Sequence, residues 1–202
     1  MKKSLIILAV ISLFGFKPVD SPLTKQERDF AIQYMVQTRD AILQDVKGLS
    51  PAQLNYKADS TRWSVAQCVE HIALAENGIM MGIQMGLQSP ADPTKRDSVK
   101  LTDQQVMNFL TDRSRKFQAP EVLKPDGRLG SYQAALDSFV ARRNRNVQFV
   151  TTTQEDMRNH YFIIPGLAYL DDYQGILFLT AHSKRHTLQL EEVKASPGFP
   201  KN

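Results

Sequence analysis

Residues 63–72 read WSVAQCVEHI, and this stretch carries the signals that decide the fold class. Ser64 is placed to cap a helix, and Gln67 follows three residues later. In such a capping box each side chain bonds a backbone N–H group that the first turn of the helix leaves free. Apolar residues then recur at helical spacing, so the stretch predicts an amphipathic helix over about 65–87.

The same kind of helix start recurs along the chain. Thr24 with Glu27 and Thr102 with Gln105 repeat the capping box, and Asp171 is suited to cap another helix. Each start is followed by apolar residues at every third or fourth position, which places them on one face of a helix. We find no segment with the clear alternation of an exposed strand. The sequence predicts long helices over about 25–49, 65–87, 131–151 and 172–195, and a shorter helix over about 103–117.

Four long amphipathic helices predict an all-α four-helix bundle, because each apolar stripe is buried against its neighbours. The short extra helix lies in the connection between the second and third long helices, in what looks like an insertion at 89–130. This connection and the one at 154–170 are long. They allow either antiparallel neighbours or a crossover topology, and residue spacing leaves both open.

The N-terminus resembles an export signal. MKKSLIILAVISLFGF has a short basic start and an apolar run too short to span a bilayer comfortably. We therefore expect residues 1–20 to be a signal peptide, with an N-terminal anchor as the alternative, and residues 21–202 to form the bundle domain. The mature protein would be periplasmic or extracellular and would have no membrane span.

Composition argues against a nucleic-acid partner. The chain has 25 basic and 21 acidic residues, and Lys2 and Lys3 lie in the N-terminal segment. Removal of that segment leaves a net charge of only about +2. The single cysteine, Cys68, has no partner in the chain for a disulfide. We interpret it as a small apolar core residue, and the alternative is a thiolate near a metal.

Three of the four histidines are candidates for a metal site. His182 and His186 are four residues apart in the last predicted helix, so their side chains lie on nearly one face, about 6 Å apart along the axis. His71, near the apolar stripe of the second helix, is the best third ligand. Such a site would keep open positions for water or substrate, as catalytic metal sites do. The alternative is histidines that pack singly, and His160, in a loop, is assigned a structural role.

The neighbours of these histidines are candidate supporting residues. Gln189 lies three residues after His186 and faces either the pocket, where it would orient a ligand, or solvent. Arg185 points away by about 100 degrees, and we expect it to pair with a carboxylate such as Glu70 or Asp172. A zinc-protease motif is disfavoured, because the residue after the first histidine is a serine and not the glutamate that serves as the base.

Together, the stretches 62–72 (RWSVAQCVEHI), 170–174 (LDDYQ) and 181–190 (AHSKRHTLQL) closely resemble the DinB-like (damage-inducible protein B, YfiT-like) superfamily. The resemblance covers most of the mature chain. It implies a four-helix bundle in which three histidines bind a divalent metal such as zinc, nickel, iron or manganese. Carried over residue by residue, the ligands are His71, His182 and His186.

The resemblance also implies a class of function. Characterised relatives include transferases that use low-molecular-weight thiols, and a hydrolase activity is often presumed for others. We therefore expect an exported metal-dependent hydrolase or thiol transferase, acting on a small-molecule substrate of unknown identity. The export signal departs from the common pattern and argues against a cytosolic thiol. The alternative is a bundle that binds a metal or small ligand without turnover. Family members often pair, which leaves a homodimer open.

Overall fold

The computed structural model describes residues 22–164 and 168–201. Four long helices form a bundle, which confirms the predicted all-α class and the short extra helix between the second and third of them. The predicted signal peptide at 1–20 lies outside the described residues. Among the residues described, no helix is long and apolar enough to cross a membrane. The elements are α1 (Lys25–Val46), α2 (Pro51–Asn55), α3 (Val65–Gly86), α4 (Asp103–Thr111), α5 (Tyr132–Thr152), β1 (Tyr161–Ile164), β2 (Ala168–Asp171) and α6 (Asp172–Lys194).

The long helices begin where their capping residues predict. The Thr24 hydroxyl accepts a hydrogen bond from the Glu27 N–H, and the Glu27 carboxylate accepts one from the Thr24 N–H. The same reciprocal pair of bonds starts α3 and α4. At α6 the Asp171 carboxylate accepts from the Gln174 N–H at 2.7 Å. These caps satisfy N–H groups that the first turn leaves free, so the helix starts are fixed locally.

Two helix ends differ from the prediction. The first helix stops at Val46 and not near residue 49, and Ser50 and Pro51 start the short α2 with a capping box of its own. α4 ends at Thr111 and not near residue 117. It stops there because the carboxylate of the next residue, Asp112, accepts hydrogen bonds from the N–H and hydroxyl groups of Ser114. Such an Asx turn competes with continuation of the helix.

A two-stranded antiparallel hairpin precedes α6, where no strand was predicted. Its register runs from Tyr161 opposite Asp171 to Ile164 opposite Ala168. The four-residue strand YFII has no alternation of apolar and polar residues, so periodicity could not reveal it. The Phe162 ring lies against Gly175 of α6, where a Cβ atom would be 2.3 Å from the ring. The absence of a side chain at residue 175 therefore lets the hairpin dock on the bundle.

The arrangement of the four long helices is a crossover topology. Around the bundle the order is α1, α5, α3, α6, since α1 and α3 each contact α5 and α6. Arg28 near the start of α1 bonds the carbonyl of Val150 near the end of α5, so these helices are antiparallel. Lys194 at the end of α6 bonds Asp45 near the end of α1, so those two are parallel.

The connection at 89–130, which we interpreted as an insertion, is required by the topology of the bundle. Tyr132 at the start of α5 belongs to the same apolar cluster as Val65 at the start of α3, whereas Leu190 near the end of α6 completes that cluster. α3 therefore runs parallel to α5 and antiparallel to α6. A chain that joins two parallel neighbouring helices must return along the length of the bundle. The connection 87–131 makes this return and carries α4, which packs on α6.

A buried polar network joins all four long helices. Arg143 of α5 is 0% exposed and bonds Glu76 of α3 through two parallel contacts of 2.8 and 2.7 Å. Its remaining N–H groups reach the Thr38 hydroxyl and the Met35 carbonyl of α1, at 2.8 and 3.1 Å, and the Ser183 hydroxyl of α6, at 2.7 Å. Since the buried charges are paired and hydrogen-bonded, the network fixes the helices relative to one another.

Candidate metal centre

Three histidines from two helices meet inside the bundle. His71 of α3 faces His182 and His186 of α6, and one ligand nitrogen from each lies within 4.8 Å of the others. The Nε2 atom of His182 is 3.2 Å from that of His71 and 3.3 Å from that of His186. For Zn–N bonds of 2.0–2.1 Å in a tetrahedron, neighbouring nitrogens lie about 3.3 Å apart. Two of the three pairs of nitrogens therefore have the spacing of neighbouring metal ligands, and the third pair lies within 4.8 Å.

Hydrogen bonds on the outer ring nitrogens set the tautomers of two of these histidines. His71 Nδ1 lies 2.7 Å from the carbonyl oxygen of Leu123, and His186 Nδ1 lies 2.9 Å from Oε1 of Gln189. A carbonyl oxygen only accepts, so each Nδ1 carries the proton and donates. In the neutral ring the inner Nε2 atom then presents a lone pair to the centre. This is the arrangement that orients histidines for metal binding.

The surroundings keep the three imidazoles neutral. His71 and His186 are buried, and His182 is partly exposed. Burial is the main cause that lowers the pKa of His71. Burial, reinforced by the neighbouring histidines, holds the pKa values of His182 and His186 well below their ordinary value. Neutral imidazole is the form that binds metals, so the protein preorganises the ligands in the required protonation state.

An indole ring packs against two of the candidate ligands. The Trp63 ring centroid lies 4.7 Å from that of His71 and 6.2 Å from that of His186, stacked on the latter. Trp63 immediately precedes the cap of α3 and also packs against the apolar cluster that contains Cys68. It therefore restricts the ring orientations of both histidines and shields one side of the centre from water.

Of the two supporting residues, Gln189 lies at the centre, and Arg185 has partners other than those predicted. Gln189 faces the centre and holds His186, one of the two alternatives considered for it. The expected pairing of Arg185 with a carboxylate is wrong, because its guanidinium donates to the carbonyls of Leu110, Asp112 and Arg115 in and after α4. Those carbonyls near the end of α4 lack helical partners and attract a cation.

The remaining candidates lie outside the centre. Cys68 is fully buried in an apolar cluster, and burial raises the pKa of its thiol to about 12, so it is a protonated core residue. His160 is buried between the carbonyls of Asp156 and Ser89, at 2.8 and 2.9 Å, which is a structural role. Leu123 was missed, because a ligand-orienting backbone carbonyl has no signal in the sequence.

Comparisons with known proteins agree with this fold. The model of the DinB superfamily matches residues 34–190. The uncharacterized protein YuaE of Bacillus subtilis (strain 168) is 27% identical over 155 residues, which cover 74% of this chain and 88% of YuaE.

A solved structure shares the architecture. YfiT from Bacillus subtilis, described as a probable metal-dependent hydrolase with an unusual four-helix bundle topology, matches with a TM-score of 0.59. The match covers 92% of this chain and 95% of YfiT at 16% identity, and at that identity it concerns the fold alone. The family model, by contrast, spans most of the sequence and includes all three histidines. The chain belongs to the DinB superfamily.

Proposed function

We propose that this protein is a metal-dependent hydrolase whose divalent cation is held by His71, His182 and His186. One observation carries the proposal: the Nε2 atoms of His71 and His186 both lie at metal-ligand spacing from that of His182, and outer hydrogen bonds fix the lone pairs of the first two toward the centre. A site with three protein ligands leaves coordination open, as in catalytic centres, whereas structural sites use four.

The chain supplies the ligands, their orientation and a route of access. A bound divalent cation would make water nucleophilic at neutral pH and would polarise a carbonyl or phosphoryl group of the substrate, which makes its carbon or phosphorus more electrophilic. Leu123 and Gln189 hold the rings of His71 and His186 by their Nδ1 protons. His182 is the one ligand of the three that is partly exposed, and Trp63 covers another side of the centre. We therefore place the approach of a substrate on the side of His182.

Metal content tests the ligand assignment. Protein purified without a histidine tag should bind about one Zn²⁺ or Ni²⁺ per chain, measured by elemental analysis after dialysis. His182→Ala and His186→Ala should lose that ion and keep the helical circular dichroism spectrum. His160→Gln is the matched control, because it removes a histidine away from the centre, and it should retain the ion. Stoichiometric metal in His186→Ala would refute the assignment.

Turnover distinguishes the proposed hydrolase from its alternatives. The metal-loaded protein should hydrolyse members of a panel of ester, amide and phosphoester substrates, and the rate should fall to background in His182→Ala. Metal-dependent consumption of a thiol with an electrophile, without hydrolysis, would favour a thiol transferase. Metal binding without turnover in either panel would favour a binding module.

We further propose that the protein is exported and works outside the cytosol. The basic start and apolar run of the N-terminal residues support this, and the absence of a disulfide requirement is compatible with it. N-terminal sequencing of protein recovered from an extracytoplasmic fraction should give a chain that starts near residue 21. Recovery of the intact N-terminus in the cytosolic fraction would refute export.

A further inference from the structure

A short segment of the crossover connection is fastened beside the metal centre. We call residues 121–129 the strap. Its carbonyl at Leu123 accepts the hydrogen bond from His71 Nδ1. The N–H groups of Gly127 and Leu129 donate to the two carboxylate oxygens of Glu70, at 3.1 and 3.3 Å. Within the described residues, the hydrogen bonds between the strap and the bundle all end on Glu70 and His71, which are consecutive in α3.

The other polar contacts of the strap do not attach it to the bundle. Lys124 pairs with Glu121, and Arg128 pairs with Asp126, within the strap itself and near solvent. Gly127 has a φ angle of +84°, a conformation that is readily available to glycine. This turn presents two backbone N–H groups to one carboxylate, as in an anion-binding nest.

The Glu70 carboxylate accepts both backbone N–H hydrogen bonds that attach the strap to α3. Glu70 is only 8% exposed, so its charge is largely removed from water, and the two strap N–H groups compensate it. Hydrogen bonds to a charged group are roughly twice as strong as those between neutral groups. The position of the strap, and hence of the Leu123 carbonyl, therefore depends on Glu70 more than on the surface pairs.

We propose that Glu70 is a positioning residue for the metal centre, acting through the strap. It holds residues 127–129, which keeps the Leu123 carbonyl against His71 Nδ1 and so keeps the Nε2 lone pair of His71 directed at the ion. The inference rests on the proposed metal function. It adds that this function depends on a carboxylate that does not touch the metal.

Linkage makes the effect reciprocal. We call the strap closed when it is bonded to Glu70 and His71, and open when it is detached from them. If the protein with an open strap binds the ion more weakly by some factor, binding of the ion shifts the equilibrium toward the closed strap by the same factor. Loss of a group that orients a metal-bound histidine typically weakens metal binding by 10–100-fold. Glu70 does not bond the histidine itself but holds the strap that carries the Leu123 carbonyl. We therefore expect its loss to weaken metal binding by about tenfold, at the low end of that range.

The first test measures Zn²⁺ affinity by competition with a chromophoric chelator. Glu70→Gln keeps the size of the side chain but places an amide N–H group against a strap N–H group. Its Zn²⁺ dissociation constant should rise about tenfold. Glu121→Gln is the matched control, because it makes the same change in the strap at an exposed residue that bonds only Lys124. Its dissociation constant should equal that of the unaltered protein.

The second test uses the unaltered chain, so it holds even where Glu70→Gln folds poorly. Arg128, which is followed by Leu129, is a trypsin site within the strap. Saturating Zn²⁺ should slow cleavage after Arg128 by about tenfold, because cleavage follows the population of the open strap. In His186→Ala, which loses a metal ligand without touching the strap, Zn²⁺ should leave the cleavage rate unchanged.

The outcomes separate this inference from the proposed function. Equal Zn²⁺ affinity of Glu70→Gln and the unaltered protein would overturn the positioning role while leaving the metal site intact. Zn²⁺-independent cleavage of the strap in a protein that binds the ion would overturn it as well. If the unaltered protein binds no Zn²⁺, Ni²⁺, Fe²⁺ or Mn²⁺, the metal function fails, and the inference fails with it.

Discussion

Asp172, the first residue of α6, gives the sharpest prediction about stability. Its side chain is fully buried, and neither carboxylate oxygen has a hydrogen-bond partner in the described part of the protein. It lies against Gly86, where a Cβ atom would come within 2.8 and 2.9 Å of the two oxygens. Burial, and then the negative charge of Asp171, raise the pKa of Asp172 from 3.8 to about 8. The carboxyl group is therefore neutral in the folded protein at pH 7.

The size of the effect follows from that pKa difference. The N-terminus of a helix favours a carboxylate by only about 0.3–1 kcal/mol, which burial outweighs. Each pKa unit corresponds to about 1.4 kcal/mol, so a rise of about four units represents roughly 5–6 kcal/mol. Because the pKa is raised on folding, the penalty is absent below pH 3.8, grows as pH rises and is complete above about pH 8. At pH 7 it is on the order of 4 kcal/mol.

Asp172→Asn keeps the shape of the side chain and removes the titration. We measure the free energy of unfolding of both proteins by urea denaturation. The value for the variant minus that for the unaltered protein should increase by about 1.4 kcal/mol per pH unit between pH 4 and 8. The comparison at each pH cancels the other titrating groups. Asp97→Asn, at an exposed position, is the matched control and should show no such slope. A difference that stays constant from pH 4 to 8 would refute the reasoning.

Three further predictions concern the core. Glu76→Ala leaves Arg143 as a buried, unpaired charge and should lower the free energy of unfolding by about 3–5 kcal/mol in urea denaturation. Gly175→Ala places a methyl group against the Phe162 ring and should cost about 1–3 kcal/mol, and adding Phe162→Ala should lower this cost without abolishing it, because Ile83 Cγ1 would still lie 2.9 Å from the methyl group. The Cys68 thiol, with its pKa raised to about 12, should react with a thiol reagent at pH 8 only in urea.

The parts of the fold that the sequence predicts are those that short-range chemistry determines. Thr24, Ser64 and Thr102 start helices through bonds to residues only three positions away, so a local pattern is sufficient. The topology depends instead on contacts such as that of Arg28 with Val150, and no local pattern encodes them. The hairpin escaped notice for the same reason, since its strand at 161–164 is defined by its partner.

The candidate site likewise has parts that local sequence patterns predict and parts that depend on long-range packing. His182 and His186 share a face by helical geometry alone, so their proximity could be predicted. That His71 lies opposite them depends on the packing of α3 against α6. The partner of Arg185 was predicted incorrectly, because charge complementarity suggests a carboxylate, whereas the structure offers free carbonyls near the end of α4. Backbone groups at helix ends are strong acceptors that residue identity does not reveal.

The buried ion pair explains how the packing of α3 against α6 becomes exact enough for a metal centre. Glu76 lies five residues after His71 on α3, and Ser183 directly follows His182 on α6. Arg143 bonds both Glu76 and Ser183 at 2.7 Å, which sets the two helices in one register. A slip of one residue would shift a helix by about 1.5 Å and turn it by about 100 degrees. Such a slip would separate the nitrogens by more than a metal ion tolerates, so a network without a ligand in it determines that the three histidines meet.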